Sequence, residues 1–544
     1  MRWIRARRRR QVTALATVVA RSVTGKANVR GAVLLPAADG LASELHRLIP
    51  GLDLVEAPLD RAERRFTLTA QGPFDFIVDE DEVPNRKRRF GATFYHLRAG
   101  GAYVVPGGAP ELGATPGPLG RLLQDAAARP EAELRVVDLP LAEARLRAIR
   151  SHVRTEAVDG HLVVRHDLPD VHVKMREADF DDYLRRASTR HRLLSVRPGM
   201  APEPPEFVEL PEPRPHHEGR PIDAVELSLR DYRDVVVEPY QVVLDGHLIL
   251  PDTYRHHRNE VLRNKLTVDL ARDFAVPVRP VPPDPPRLEG TYFHLDNEAR
   301  GHFGHLMTES LSRVWAWPEV LALDPDARVL LGANRKRPRP LEYELALYEA
   351  CGIPRERIVV IDGPVLVDRL ITGTPMFSNP QYVHSQIAEI WQQVGDRLAA
   401  QVAPRDWPER IFVSRREVKR ACLNGADVEA VFAEHDFEIV YPEDYSLGEQ
   451  VEMFRAAEVI AGFSGSGMFQ IAFVAEPKRV IQVGSMAYGP RNEFLMAAIR
   501  RHRIDSIVCQ SDEGRGIRAD WWYDEEREGA ALRGVLAGLD GAAQ

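Results

Sequence analysis

Hydrophobic residues in the second half of this chain fall into short runs that are separated by longer amphipathic stretches. The runs have the length of buried strands, and the stretches between them repeat apolar residues at helical spacing. Because parallel strands are joined by crossover helices, this alternation predicts an α/β fold whose parallel sheet is covered on both faces. The predicted strands cover 327–331, 357–361, 365–372, 411–413, 437–440, 459–461 and 479–483, and the predicted helices cover 341–351, 379–399, 427–435 and 447–457.

The first part of the chain shows a similar alternation, which predicts a separate α/β domain over about 28–150. Its apolar runs lie at 32–35, 74–78 and 103–105. Two proline-rich segments follow later, at 198–221 and 277–286. Such segments act as stiff spacers or surface crossings, so they divide the chain near residues 200 and 285.

The N-terminus combines a basic run with a short apolar run, Val12–Ala20. This order is similar to the start of a signal peptide, but Arg21 and Lys26 end the apolar run early and no Ala-x-Ala site follows. The alternatives are an exported leader, a basic tail that contacts anionic lipid, or a solvated start. No apolar stretch reaches the roughly 18 residues of a membrane-spanning helix. The basic run contains Arg2, Arg5, Arg7, Arg8, Arg9 and Arg10.

Composition and charge exclude some classes of function. The chain has 544 residues, of which 72 are basic and 80 acidic, giving a net charge of −8. A dedicated nucleic-acid-binding protein should carry a basic excess, so nucleic acid is not an expected partner. The three cysteines, Cys351, Cys422 and Cys509, cannot form a disulfide framework, and their spacing fits no zinc site. We therefore expect a reducing compartment and a cytoplasmic protein, at the inner face of the membrane if the basic tail binds lipid.

The segment 297–317 contains the first candidate chemistry. His305, Glu309 and Arg313 are spaced four residues apart, so they share one face of the predicted helix. A histidine and a carboxylate on one face can supply an acid/base pair. Two alternatives remain open: Glu309 and Arg313 form an ordinary ion pair, or His302 joins His305 and Glu309 in a zinc site. The zinc alternative lacks a fourth ligand and the His-Glu-x-x-His order of zinc proteases.

The segment that begins at residue 410 contains a second group of candidate functional residues. The strand at 459–461 continues into a turn rich in glycine and serine, 462–467, and a helix starts at Met468. A strand, a glycine-rich turn and a helix N-terminus together present backbone N–H groups to an anion. Arg415 and Arg420 can add charge-assisted bonds to phosphate. The alternatives are a tight connection without a ligand and a Gly-x-Ser-x-Gly nucleophile elbow, whose pattern does not fit around Ser464 or Ser466.

Three motifs occur in one order: GHFGHLMTESLSRVW, then IFVSRREVKRACLN, then FEIVYPEDYSLGEQVEMFRAAEVIAGFSGSG. Together they resemble glycosyltransferase family 61, which includes capsular-polysaccharide biosynthesis proteins, over about 225–490. The resemblance implies a GT-B-like pair of Rossmann-like domains with a cleft between them. It also implies transfer of a sugar from a nucleotide-sugar donor to a polysaccharide or glycan acceptor, by an inverting reaction that needs no metal and no cofactor. The alternative is a non-catalytic scaffold protein that binds sugars or nucleotides at degenerate sites; the oligomeric state stays open.

The resemblance also assigns site residues. His305 and Glu309 fall on the family's catalytic positions, and the choice of base between them stays open. The turn 464–467 departs from the His-Gly-Ala-Gly of many members, which implies a different donor type or weaker donor binding. With Arg415 and Arg420, this turn is assigned to the donor diphosphate. The donor-binding residues are Ser414, Arg415, Arg420, Asn424, Glu443, Gln450, Ser464, Gly465, Ser466 and Gly467.

Metal-dependent transferases hold Mg²⁺ or Mn²⁺ with paired aspartates. Such pairs occur at Asp79-Glu80-Asp81 and Asp324-Pro325-Asp326, but both lie outside the matching segments, so we predict no metal site.

The N-terminal α/β region is similar to a class I methyltransferase fold through FDFIVDEDE and FYHLRAGGAYVV, although its early loop at 35–40 has a single glycine. We therefore expect the fold without its cofactor. The expected organisation is a basic tail at 1–27, a degenerate methyltransferase-like domain at 28–150, a connector at 151–222, an acceptor-side domain at 223–405, a donor-binding domain at 406–515 and a C-terminal tail at 516–544.

Overall fold

The computed structural model describes residues 2–80, 83–128, 149–214, 221–416, 420–511, 516 and 519–540. The chain forms two compact units. The first contains Met1–Arg192, Tyr232–Glu289 and Pro364–Asp368; the second contains Leu193–Asp231, Gly290–Gly363 and Arg369–Gln544. The predicted α/β character is confirmed, whereas the GT-B pair of Rossmann-like domains remains a prediction. These units do not follow the expected boundaries, because residues of 223–405 occur in both.

The first unit begins with a six-stranded sheet whose first four strands are parallel. The last two strands form an antiparallel ladder at its edge. The strands predicted near 32, 74 and 103 all belong to this sheet. In spatial order the strands are Asp53–Ala57, Arg30–Leu34, Phe74–Asp79, Leu97–Val105, His161–His166 and Val153–Val158, and the helices are Leu41–Leu48, Arg61–Gln71, Val83–Thr93 and Pro118–Ala128.

The N-terminal segment expected to be a tail is a helix, Arg2–Ser22. Its apolar side chains are buried in a cluster that includes Leu41, Leu45 and Phe76. The helix forms because its apolar residues recur at the spacing of one helical face. Those residues are Val12, Leu15, Ala16 and Val19. The short apolar run is therefore one side of a packed helix, and none of the described helices is long and apolar enough to cross a bilayer.

Further strands of the first unit surround His172–Lys174, which pairs with Phe274–Pro277 on one side and Leu248–Ile249 on the other. The helix Glu177–Arg186 follows this strand. Other strands here are Val242–Asp245 and Thr267–Ala271. Among the described residues, four strands contain residues of both units: Arg192–Arg197, Leu227–Glu238, Arg287–His294 and Val365–Gly373.

The second unit contains a six-stranded parallel sheet. Numbered along the chain from residue 410, its first five strands lie in the order 2-1-3-4-5, with Phe207–Leu210 at the edge. In such a sheet the connections diverge between strands 1 and 3, and ligands bind outside the carboxyl ends of the strands at this switch point. In spatial order the strands are Glu438–Val440, Arg410–Val413, Val459–Phe463, Arg479–Ser485, Arg503–Cys509 and Phe207–Leu210.

Helices flank this sheet, and the helix Leu447–Ala456 starts with a capping box formed by Ser446 and Glu449. The segment expected to be a C-terminal tail contributes a helix instead, Gly529–Asp540. Its Leu532 and Leu536 are buried with Phe412 of the sheet, so this segment is part of the core. The other helices are Gly425–Ala433, Asn492–Arg500 and the 3₁₀ helix Ser466–Phe473.

The rest of the second unit carries the parallel strands Arg328–Gly332 and Ile358–Ile361 beside residues 290–294. The segment after 302 is less regular than the single helix predicted there. It contains an α-helical turn, Phe303–His305, a π-helical turn, Leu306–Ser310, and a 3₁₀ helix, Leu311–Ala316. Single π turns inside helices occur frequently at functional sites. The remaining helices here are Trp317–Leu323, Glu342–Ala350 and Ile387–Ala399.

Candidate active site

A cavity of about 390 Å³ lies in the second unit, at the carboxyl ends of strands Arg410–Val413 and Val459–Phe463. This is the switch point of the 2-1-3-4-5 sheet, where the fold favours ligand binding. Most of the predicted donor-binding residues meet here; Asn424 and Ser464 are absent from the lining. The lining residues are Phe303, Tyr343, Val413, Ser414, Arg415, Arg420, Pro442, Glu443, Tyr445, Leu447, Gln450, Phe463, Gly465, Ser466 and Gly467.

Two arginines give the cavity its positive charge. The Arg415 guanidinium donates a hydrogen bond of 3.0 Å to the backbone oxygen of Arg420 and lies 5.7 Å from the centre of the Phe463 ring. The Arg420 guanidinium lies 4.8 Å from the centre of the Tyr488 ring. Burial, helped by the charge of Arg420, lowers the pKa of Arg415. Among the described residues neither guanidinium forms a salt bridge with a carboxylate, and Glu443 is the one acidic residue in the lining, so basic side chains outnumber acidic ones there by two to one.

The glycine-rich turn presents only some of its backbone donors. Gly465 has a φ of 135°, which favours glycine, and its N–H donates a 2.7 Å hydrogen bond to Glu493 Oε1. The first bond of the following 3₁₀ helix runs from the Met468 N–H to the Gly465 oxygen, at 3.0 Å. The N–H groups of Ser466 and Gly467 precede that bond, at the helix N-terminus. These two groups therefore have no partner within the helix, as is usual for the first N–H groups of a helix.

Glu493 is a fully enclosed carboxylic acid, and burial raises its pKa. It stands at the start of helix Asn492–Arg500 and holds the turn by accepting from Gly465. Ser464 was predicted to bind the donor, but its side chain does not line the cavity. Its N–H donates to the Val483 oxygen, and its Oγ lies over the neighbouring strand, where a Cβ on Gly484 would approach it to 2.5 Å.

The segment that carries His305 packs directly on the glycine-rich turn. A Cβ placed on Gly304 would lie 3.1 Å from the Ser466 Cβ and 3.1 Å from the Phe469 ring. A residue larger than glycine would therefore require Ser466 and Phe469 to shift by a few tenths of an ångström. The two predicted motifs, which are about 160 residues apart in the sequence, are therefore neighbours in the fold.

His305 and Glu309 form a hydrogen-bonded pair, with 2.7 Å between His305 Nδ1 and Glu309 Oε1. The histidine side chain is 24% exposed and the glutamate side chain 12%. Neither lines the cavity, but Phe303, two residues before His305, does. Arg313, expected on the same face, donates instead to the backbone oxygen of Asp296 at 3.2 Å. The pair thus stands beside the cavity with the imidazole more open to solvent than the carboxylate.

The remaining predicted donor residues shape the cavity through hydrogen bonds. Ser414 donates to Glu429, and Glu443 accepts from the Arg416 N–H at 3.1 Å. Gln450 donates to the backbone oxygens of 442 and 445 at 2.8 and 3.0 Å. These bonds fix the wall formed by 442–450.

Asn424 lies outside the lining. Its side chain donates to the Tyr523 oxygen at 2.8 Å and accepts from the Tyr523 N–H at 2.9 Å. It also bonds to Asp427 at the start of the next helix. These contacts give Asn424 a structural role in joining residues 424 and 523, because its amide is fully engaged there.

Sequence patterns did not indicate several residues of the site. Phe303 and Tyr343 contribute two rings whose centres are 5.9 Å apart, and Tyr445 lines the same cavity. Phe303 lies inside the quoted first motif, which is the available signal for it. Tyr343 and Glu493 sit in ordinary amphipathic helices, so no local pattern marks them.

The aspartate pairs considered for metal binding serve other contacts. Asp324 accepts from the Asp326 N–H at 3.0 Å, and Asp79 accepts from the Tyr103 hydroxyl at 2.6 Å. Asp81 lies outside the described residues. Within the part of the chain that the structure describes, no three His, Cys, Asp or Glu side chains are grouped to hold a metal ion.

Residues 303–481, about a third of the chain, match the family model of glycosyltransferase 61. The chain contains a glycosyltransferase family 61 domain. This confirms the family resemblance over a shorter span than 225–490 and makes the protein a glycosyltransferase. The family 61 domain includes both predicted catalytic residues and all ten predicted donor-binding residues. No curated protein matches the chain.

Proposed function

We propose that this glycosyltransferase moves a sugar from a nucleoside diphosphate donor to a hydroxyl of a glycan or polysaccharide acceptor. One observation carries the proposal: Arg415 and Arg420 stand together in a cavity at the sheet's switch point, and among the described residues neither forms a salt bridge with a carboxylate. A partly buried cation is costly unless an anion accompanies it. A diphosphate supplies that anion, and guanidinium groups bind phosphate oxygens with paired hydrogen bonds.

The donor's other parts match the remaining lining. The N–H groups of Ser466 and Gly467 add dipolar donors to the phosphates at a helix N-terminus. The aromatic walls of Phe303, Tyr343 and Tyr445 provide surfaces on which a nucleoside base can stack. The donor would therefore lie with its phosphates at the arginines and its base on the aromatic wall.

His305 is the proposed base, and Glu309 its positioning partner. When Nδ1 of His305 carries its proton toward Glu309, Nε2 is left as the acceptor that can remove a proton. The acceptor hydroxyl gives its proton to Nε2 while its oxygen forms a bond to the sugar's anomeric carbon. The bond from that carbon to the phosphate oxygen breaks, and the diphosphate leaves with the electron pair. This single displacement inverts the anomeric configuration.

Charge on the leaving diphosphate is stabilised by Arg415 and Arg420 and by the turn's N–H groups. Fixed donors aimed at developing charge are among the strongest catalytic effects. Since two guanidinium groups already supply positive charge, we propose that transfer proceeds without a divalent cation.

The three cysteines are free thiols, which supports a reducing, cytoplasmic setting for this reaction. Arg7, Arg8, Arg9 and Arg10 are exposed on the N-terminal helix, which supports contact with anionic lipid at the inner face of the membrane.

The deciding experiment measures donor binding and turnover together. Protection against thermal unfolding by a panel of nucleoside diphosphates identifies the nucleotide. Release of nucleotide from the matching sugar donors, with acceptor glycans present and with EDTA added, then tests transfer and its independence of metal. Binding without turnover would support the scaffold alternative, and loss of turnover in EDTA would contradict the metal-free step.

A further inference from the structure

The first unit contains a second cavity, of about 590 Å³, which shares no residue with the cavity of the family 61 domain. Its walls come from helix Arg61–Gln71, helix Glu177–Arg186 and residues 272–274. Its volume lies within the range of small-molecule sites, roughly 300–1,000 Å³. Neither the family match nor the proposed transfer reaction uses it.

Three residues that line this cavity carry a buried polar atom with no hydrogen-bond partner among the described residues: Thr69 Oγ1, His96 Nδ1 and Asp179 Oδ2. The Asp179 oxygen lies in a salt bridge with Arg65, whereas Thr69 and His96 are uncharged and only 3% and 2% exposed. Burial, with the charges of His247 and Arg65, lowers the pKa of His96 well below its usual value, so the imidazole is neutral. A neutral imidazole and a hydroxyl each donate and accept hydrogen bonds. A guest with hydroxyl groups would satisfy both.

The charges of the wall balance in number, with five arginines and five acidic residues: Arg61, Arg64, Arg65, Arg186 and Arg272 with Asp60, Glu63, Asp179, Asp182 and Asp273. Arg65 pairs with Asp179 at 3.1 Å and with Asp273 at 3.6 Å. Arg186 pairs with Glu63 at 2.7 Å and Asp182 at 2.9 Å. This differs from the cavity of the family 61 domain, whose two arginines form no salt bridge among the described residues and outnumber the single acidic residue of the lining, Glu443. The cavity of the first unit therefore favours an uncharged ligand over a phosphate-bearing one.

Aromatic side chains complete the wall. The cavity is lined by Phe66, Tyr183 and Phe274. The Phe274 and His96 rings pack edge to face, with 4.9 Å between their centres. Aromatic surface combined with a few convergent polar groups is the usual make-up of a small-molecule site. A pyranose has both an apolar face of C–H groups and a rim of hydroxyls, so it fits this combination.

We propose that this cavity binds a neutral saccharide, held by Thr69 and His96 and stacked on the aromatic wall. The site belongs to the first unit and does not depend on the donor chemistry of the family 61 domain. It gives this unit a carbohydrate-binding role of its own.

The test is saturation-transfer NMR and calorimetry on the full chain, with methyl glycosides of glucose, galactose, mannose, xylose and N-acetylglucosamine as probes. At least one probe should bind, and excess UDP or GDP should not displace it. Thr69→Val keeps the side chain's shape but removes its hydroxyl, so it should weaken that binding about tenfold. Thr67→Val, on the same helix but outside the lining, is the matched control and should bind as the wild type does.

Three outcomes would overturn the proposal. The first is that no probe binds, and the second is that the nucleotides displace the bound probe. The third is equal affinity in the wild type and the Thr69→Val protein, with thermal unfolding showing that both are folded. Nucleotide binding by the family 61 domain is measured separately in the same samples, so failure of one site is distinguished from failure of the other.

Discussion

Gly465 and Glu493 are joined by a hydrogen bond of 2.7 Å, from the glycine N–H to a carboxylate oxygen that is closed off from solvent. The bond fixes the turn that leads into helix Ser466–Phe473. It also takes one of the backbone donors that the sequence assigned to the donor diphosphate. The proposed anion site therefore begins one residue later than the glycine pattern suggests, at Ser466.

Replacing Glu493 by glutamine should change the pH dependence of stability. Burial raises the pKa of Glu493 above the usual 4.5, so the folded state holds this proton more tightly than the unfolded chain. The free energy of unfolding of the wild type therefore falls as pH rises from 4.5 through the raised pKa. The fall is about 1.4 kcal/mol for each pH unit by which folding raises the pKa. Glutamine cannot titrate. Urea unfolding across this pH range should show the Glu493→Gln protein gaining stability over the wild type, and a pH-independent difference would contradict the account.

Gly304→Ala tests the packing between the two motifs. The added methyl group would lie 3.1 Å from both Ser466 and Phe469, closer than these atoms allow without movement. Overpacking of this kind costs about 1–3 kcal/mol and should also displace the glycine-rich turn. We expect lower thermal stability together with weaker nucleotide binding. Gly363→Ala is the control, because no atom lies within 4 Å of its added carbon; equal behaviour of the two variants would refute the contact.

Because His305 is the proposed base and Glu309 only positions it, replacing each residue should lower the transfer rate by a different amount. His305→Ala removes the proposed base and should lower kcat by about 10²–10⁴-fold. Glu309→Gln keeps a hydrogen-bond partner for Nδ1 but not its charge, so its loss should be smaller. Nucleotide affinity should stay unchanged in both, since neither side chain lines the cavity. A larger loss in Glu309→Gln than in His305→Ala would reverse the assignment.

The substitution Leu15→Ala tests whether the N-terminal segment is part of the hydrophobic core of the first unit. Its side chain is buried against the first unit, so Leu15→Ala should lower the free energy of unfolding of that unit by about 2–5 kcal/mol. Arg9→Gln, on the exposed face of the same helix, should leave stability nearly unchanged. Differential scanning calorimetry compares the two proteins. A neutral Leu15→Ala would mean that the segment is a solvated tail after all.

The sequence was most informative where local pattern and fold agree. Short apolar runs located the strands, and the turn at 462–467 marked the place where a strand ends and a helix begins, because a strand, a glycine and a helix start must follow one another in the chain. The N-terminal helix was missed although its residues, Val12, Leu15 and Val19 among them, have helical spacing. The run of arginines before them suggested targeting or lipid contact instead.

Other features depend on distant residues and leave no local trace. Glu493 reaches Gly465 only because the next strand and its loop bring helix Asn492–Arg500 back to the turn. The π turn at Leu306–Ser310 has the same apolar spacing as an ordinary helix, so periodicity cannot distinguish them. Asn424 lies in the matching motif, yet its partner Tyr523 comes from a region outside the family match.

Calorimetric titration of the preferred nucleoside diphosphate into Arg415→Gln, Arg420→Gln and Arg416→Gln proteins tests the central claim most directly. Arg416 neighbours Arg415 but pairs with Asp444 outside the cavity, so it is the matched control. We expect Arg415→Gln and Arg420→Gln to bind the nucleotide about ten- to hundredfold more weakly, because each loses charge-assisted hydrogen bonds. Arg416→Gln should bind it with wild-type affinity. Equal affinity in all three proteins would contradict a diphosphate held by Arg415 and Arg420.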